Sequence, residues 1–194
     1  MLKLNYFNGK GMGETSRLIM VSAGAKFEDY RYPIKIIDWS TYNIEREEFD
    51  ADKSSGKLWR SMNKLPFLNI GDEVISQSKS IERYLANRFK LMGDTPEEYS
   101  LIDSYCEYIR DFKNAYHVSK RKENKEESLK EWFDKLLPEK LIAFDKLLFE
   151  NNNFQNILTT NVPKNFSVGG KLSLCDIVIY SFLVDFFDNK EGVK

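Results

Sequence analysis

A strand, a helix and a second strand follow one another at the start of this chain, and no other feature limits its fold so tightly. Residues 2–7 alternate apolar and polar, as a half-buried strand does. Leu18, Ile19, Met20 and Val21 give residues 14–23 an apolar side, and Gly24 stands where a left-handed helix stop is expected. Residues 27–34 read as a second strand. Two strands joined through a helix cannot form a hairpin, so they are predicted to lie parallel, with the helix covering one face of the sheet. A third strand, residues 65–70, begins at Pro66; Gly71 and Asp72 turn the chain, and residues 73–76 return as its hairpin partner. Ser78 opens a helix with Ile81, Tyr84, Leu85 and Phe89 at helical spacing.

Residues 35–63 fit less well. Trp39, Tyr42, Phe49, Leu58 and Trp59 are scattered among charges. The expectation is an irregular segment with one short helix. Residues 93–96 form a linker, and beyond it only helices are predicted. Ile102, Tyr105, Cys106, Ile109, Phe112 and Tyr116 mark one helical face. Residues 120–131 mix both charge signs, as a solvated surface does. Trp132 begins a further apolar face, which Pro138 should kink or interrupt. Residues 151–156 read as a loop. Ser173 and Asp176 are spaced as a capping box, and the helix they open is apolar almost all round and therefore expected to be buried. The predicted organisation is an α/β domain over residues 1–90, in the order β-α-β, α, β-β-α, and an all-α domain over residues 97–194.

The formal net charge of −1 gives no electrostatic pull toward nucleic acid or an anionic membrane. Cys106 and Cys175 lie in apolar helical patterns and read as buried reduced thiols. No Cys-x-x-Cys accompanies the first helix, which argues against dithiol redox chemistry. His117, the single histidine, lacks metal-ligand spacing, so no metal site is expected. No stretch is long and apolar enough to span a bilayer, and no signal-peptide pattern opens the chain; a cytoplasmic address is expected. The glycines of residues 9–13 are not spaced G-x-G-x-x-G, so they are read as flexibility beside an active site, not as a dinucleotide cradle.

The element order is the thioredoxin-like pattern, and the proline opening the third strand predicts a cis Leu65–Pro66 bond. Residues 4–17 (Leu-Asn-Tyr-Phe-Asn-Gly-Lys-Gly-Met-Gly-Glu-Thr-Ser-Arg), Asp38-Trp39, Lys64-Leu65-Pro66, Gln77-Ser78 with Ile81-Glu82-Arg83-Tyr84-Leu85, and residues 169–176 (Gly-Gly-Lys-Leu-Ser-Leu-Cys-Asp) together resemble the tyrosine-type cytosolic glutathione transferases. The sigma and alpha classes are nearest. The resemblance runs from Leu2 to about Phe187. It implies conjugation of reduced glutathione to hydrophobic electrophiles, with glutathione as co-substrate and no cofactor. Tyr6 would donate a hydrogen bond to the glutathione sulfur. A free thiol is little ionised at neutral pH, and each unit of pKa shift is worth about 1.4 kcal/mol. Trp39 and Lys64 would face the glycine end of glutathione, Leu65 and Pro66 its cysteinyl backbone, and Gln77 and Ser78 its γ-glutamyl carboxylate. Asp111 would reach across a homodimer to the glutathione amine.

The chain departs from the family pattern at several places. Met12 stands where the sigma class often has an arginine, and Asn43 where a lysine is expected. Arg110 disrupts an acidic cluster that binds magnesium in one branch of the class. Residues 41–63 exceed the family counterpart by more than a dozen residues. The all-helical half reads as short of the usual last helices, which would expose Phe182, Phe186 and Phe187. Two alternatives therefore stand beside the transferase: a weakly active or inactive ligand-binding or structural protein on the same fold, and a glutathione-dependent prostaglandin isomerase.

Overall fold

A computed structural model describes residues 1–38, 43–158 and 166–187, with the backbone alone at 151–158. The chain divides into two units, Met1–Phe89 and Lys90–Lys194.

In the first unit, β1 (Leu2–Phe7), α1 (Glu14–Ser22) and β2 (Phe27–Tyr32) form the expected parallel crossover. β5 (Phe67–Ile70) pairs antiparallel with β1, and β6 (Glu73–Ser76) with β5, giving the sheet order β2-β1-β5-β6. β2 stops two residues earlier than predicted, because Pro33 has no N–H to continue a ladder. Gly24 does end α1, at φ +62°. Strand side chains alternate between faces. Leu2, Leu4 and Leu68 share the face buried against Ile19 and Met20 of α1 and Ile81 and Leu85 of α3 (Ser78–Arg88).

The other face carries a second core that the sequence did not announce. The described part of residues 35–63 is not mainly irregular. They hold a hairpin, β3 (Lys35–Asp38) and β4 (Asn43–Glu45), then α2 (Glu47–Ser54) and a 3₁₀ turn at Trp59–Ser61. Phe49 and Leu58 from this segment pack with Tyr32 and Phe67, and Phe7, Tyr30, Leu65 and Val74 lean on the cluster. Two polar links tie α2 to β2. Tyr30 donates to Glu48, and Tyr32 donates to Asp52 at 2.9 Å. The Glu48 hydrogen bond holds the Tyr30 phenol above its usual range, while burial and then the Asp52 bond do the same for Tyr32.

In the second unit, α4 (Pro96–Ser119) starts with Pro96 just inside the helix and Thr95 Oγ1 accepting the Glu98 N–H at 3.1 Å. α5 (Lys125–Glu131), a π turn at Trp132–Leu136 and α6 (Leu137–Leu158) follow almost without a break. Pro138, expected to kink or interrupt the helix, lies in the first turn of α6 directly after that π turn, where the Leu137 N–H bonds the Trp132 carbonyl. The loop expected at residues 151–156 is instead helical backbone to Leu158; the asparagines there are indifferent helix formers, and no proline or glycine stops them. α7 (Leu174–Asp185) opens with the predicted capping box. The Asp176 carboxylate accepts from the Ser173 N–H at 2.8 Å, the Ser173 hydroxyl at 2.7 Å and the Ser167 N–H at 2.7 Å.

α7 is not buried all round. Tyr180, Leu183 and Val184 are 53%, 47% and 49% exposed. The residues expected to be exposed are mostly not: Phe182 and Phe187 are buried and Phe186 half-buried. They pack edge-on against Phe112 and Tyr116 and at a tilt against Trp132 and Phe133, so ring packing within the unit supplies the cover. Both cysteines are buried and neither forms a disulfide. Among the described residues, no helix is long and apolar enough to cross a membrane.

Candidate active site

Strand register gathers most of the candidate residues at one end of the sheet. Asn5 is opposite Phe67, and Phe67 is opposite Ser76. One residue further along each strand come Tyr6, Pro66 and Gln77. The C-terminal ends of β1 and β6 thus flank the N-terminal end of β5, and α3 starts from the same edge.

Tyr6 is half-buried on the face shared with α1. Its hydroxyl oxygen accepts the Met12 N–H at 3.1 Å, which leaves its own proton free to be donated elsewhere. The ring occupies space that the glycines vacate. A Cβ at Gly11 would come 2.6 Å from the Tyr6 Oη, and one at Gly13 would come 2.8 Å from Cδ1 and 2.9 Å from Cγ. Gly13 has an ordinary φ of −86°, so its role is room for the ring, not the flexibility expected from sequence. Arg17, buried on α1, lies with its guanidinium carbon 5.8 Å from the Tyr6 ring centroid. Sequence reading passed over this arginine as part of a motif; the signal was a charge on the helix face that also carries Met20, one turn on.

The Leu65–Pro66 bond is cis, as predicted. Two left-handed residues, Met62 (φ +57°) and Asn63 (φ +55°), turn the chain sharply just before it. The Ser76 hydroxyl donates to the Ser61 carbonyl at 2.9 Å, pinning this turn to the end of β6. Leu65 is half-buried and leans on the second core. Lys64 is exposed. Gln77, at φ +73°, is the N-cap residue of α3, and no side chain caps that helix. Ser78 is therefore its first helical residue and not its cap, and the first-turn N–H groups have no capping side chain. Trp39 lies outside the described residues. Asp111 is exposed on α4, in the second unit. Arg110 pairs with Glu107 at 2.6 Å on the same helix. A groove of about 270 Å³ within the second unit is lined by apolar side chains of α4, α6 and α7, among them Phe112, Phe144 and Phe182, with Asp145 as its one acidic group.

Residues 110–193 match the family model described as the glutathione S-transferase C-terminal domain. The chain is 31% identical over 185 residues to the class-mu 28 kDa glutathione S-transferase isozyme of Schistosoma japonicum, covering 92% of this chain and 77% of that one. It is 31% identical over 153 residues to the hematopoietic prostaglandin D synthase of Gallus gallus, covering 78% of this chain and 69% of that one. The structure of the Onchocerca volvulus Pi-class glutathione S-transferase superposes with a TM-score of 0.71 at 29% identity, over 94% of this chain and 75% of that one.

Proposed function

Because this chain belongs to the glutathione S-transferase family, we propose that its transferase chemistry is driven by Tyr6, whose hydroxyl donates to the sulfur of bound glutathione and keeps it anionic. The observation that carries this reading is the Met12 N–H bonded to the Tyr6 oxygen at 3.1 Å. With its acceptor side occupied, the hydroxyl is oriented toward a second partner. A bond donated into a hydroxyl also polarises it, making it the better donor.

Glutathione lies along the edge formed by Leu65, Pro66, Gln77 and Ser78. The N–H and C=O of Leu65 pair with its cysteinyl backbone as an added strand would. Its γ-glutamyl carboxylate meets the uncapped first turn of α3, where free N–H groups and the helix dipole favour an anion. Lys64 supplies charge to the glycyl carboxylate, with Trp39 beside it. The thiolate then attacks an electrophilic carbon of a hydrophobic acceptor. A carbon–sulfur bond forms, the displaced group leaves with its electron pair, and the thiol proton passes to solvent. Catalysis rests on positioning and on stabilising the anion, with no covalent intermediate on the protein and no cofactor. The working form is a cytoplasmic homodimer, in which Asp111 of one subunit faces the glutathione amine bound by the other.

The test is Tyr6→Phe. Loss of one hydrogen bond to an anion, about 1.5–3 kcal/mol, lowers kcat/KM for 1-chloro-2,4-dinitrobenzene roughly 10- to 100-fold and raises the pH midpoint of the glutathione thiolate. Equal activity in wild type and variant would end this reading.

A further inference from the structure

We propose that the groove between α4, α6 and α7 is a binding site for an amphipathic cation, an aryl- or alkyl-ammonium whose apolar body lies among Phe112, Phe144 and Phe182 and whose charge meets Asp145.

Phe112, Phe144 and Phe182 are buried, and with Ile109, Leu148 and Ile179 they line a groove of about 270 Å³. Small-molecule sites run upward from about 300 Å³, so this one suits a ligand of a single ring and a short chain. Every residue that lines it belongs to the second unit. Occupancy here therefore does not depend on Tyr6, Leu65 or Gln77.

Asp145 breaks the pattern of its helix. Leu137, Leu141, Phe144 and Leu148 recur at the spacing of one helical face. Asp145 follows Leu141 by four residues and precedes Leu148 by three, so it stands in the same stripe, where a side chain serving only the core would be apolar. It is exposed, at the solvent edge of the groove. Among the described residues it makes no hydrogen bond or ion pair. The lysines near it on α6 are engaged elsewhere. Lys146 pairs with Glu150 at 3.7 Å. Lys140 lies over the rings of Tyr108 and Phe112, 5.8 and 5.6 Å from their centroids. The rings of this cluster thus already hold one cation, as the negative face of an aromatic ring favours.

Charge decides between occupants. A neutral apolar ligand gains the walls and leaves the carboxylate to water. An anion gains the walls and is repelled by Asp145. A cation gains both, and beside an apolar wall the attraction is screened less than in open water. A second copy docked on this face about a twofold axis would bring Asp145 toward its own counterpart.

The experiment is isothermal titration calorimetry on the full chain at neutral pH. Three probes share one apolar body: 4-phenylbutylammonium, 4-phenylbutan-1-ol and 4-phenylbutanoate. The ammonium should bind once per chain and roughly fivefold tighter than the alcohol, the size of one partly exposed ion pair. The carboxylate should bind more weakly than the alcohol. Raising the salt concentration should erase most of the ammonium's advantage without weakening the alcohol. In Asp145→Asn the ammonium should bind no tighter than the alcohol. Leu183→Trp, a half-exposed position that lines the groove, should fill the space and weaken ammonium and alcohol alike by about tenfold, since the apolar burial is lost to both. The salt series needs no variant and decides the matter if Leu183→Trp does not fold. Equal binding of ammonium and alcohol by the wild type overturns the proposal. So does an ammonium preference that survives Asp145→Asn, because the site would then lie elsewhere. Failure of all three probes to bind overturns it as well; self-association that Leu183→Trp abolishes in sedimentation would then identify the groove as an interface between copies.

Discussion

Adding a single methyl group at Gly13 should slow this enzyme by between ~10- and ~100-fold without altering any reactive group. The backbone there is no obstacle, because φ is −86°. The obstacle is Tyr6. An alanine Cβ would sit 2.8 Å from Cδ1, 2.9 Å from Cγ and 3.0 Å from Cβ of the tyrosine. Carbon atoms are comfortable from about 3.5 Å, so the side chain must retreat by roughly 0.6 Å. These atoms are the root of the ring, and rotating the ring about its own axis leaves Cγ and Cβ where they are. The hydroxyl at the far end has to move as well. Its bond from Met12 is 3.1 Å long, and beyond about 3.5 Å it is no longer a hydrogen bond. Misplacement of a catalytic group by about 1 Å can lower the rate ~100-fold, and overpacking of this kind costs about 1–3 kcal/mol of stability. We therefore expect Gly13→Ala to lower kcat/KM by between ~10- and ~100-fold in a 1-chloro-2,4-dinitrobenzene assay, and to shift guanidinium unfolding by that 1–3 kcal/mol. The clash has one owner, so repeating the substitution in a Tyr6→Ala background should cut the stability loss to under ~1 kcal/mol, the residue of losing glycine at a helix start. Activity within about twofold of wild type would refute the reasoning. So would a stability loss that ignores the presence of the ring.

Three further outcomes follow from packing and charge. Leu58→Ala empties a buried position of the second core and should cost about 2–4 kcal/mol in urea unfolding; because Leu65 leans on that core, KM for glutathione should rise more than kcat falls. Asp176→Asn weakens the bonds that the carboxylate accepts from Ser167 and Ser173 and should cost about 1–3 kcal/mol by thermal melting. Asp52 is held below its ordinary value of 3.8, first by the Lys57 hydrogen bond and then by that from Tyr32. A depressed carboxylate stabilises the fold fully above the unfolded value and loses that contribution as pH falls through the folded one. Acid unfolding curves below about pH 4 should therefore shift between wild type and Lys57→Met, with the variant less sensitive to acid over that window.

How far the sequence could be read depended on whether a local rule governed each element. The crossover, the hairpin at Gly71, the cis Leu65–Pro66 bond and the α7 capping box all obey short-range rules, and each is present as predicted. Residues 35–63 follow no such rule. α2 buries only Phe49, too little for an amphipathic pattern, and β3–β4 is a small hairpin whose register shifts between Ile36 and Asp38. Phe49 and Leu58 pack with Tyr32 and Phe67 on the flanking strands, and Tyr30 and Tyr32 donate to Glu48 and Asp52 of α2, relations that no local pattern reveals. At the candidate site, residue types and motif order pointed to Tyr6, but not to the space left by Gly11 and Gly13 or the reach of Arg17. Both are relations between side chains across a turn, visible only in three dimensions. α7 shows the converse error: an all-apolar helix invites the inference of burial on every side, yet Tyr180, Leu183 and Val184 face outward.

The partner of the Tyr6 oxygen is a main-chain N–H, and the Met12 side chain itself points away, 62% exposed. If Tyr6 activates the thiol as proposed, position 12 can diversify widely at little expense to that step, since every amino acid except proline brings the same N–H. A library randomised there should contain many active members with altered acceptor preferences, and proline should be absent from them.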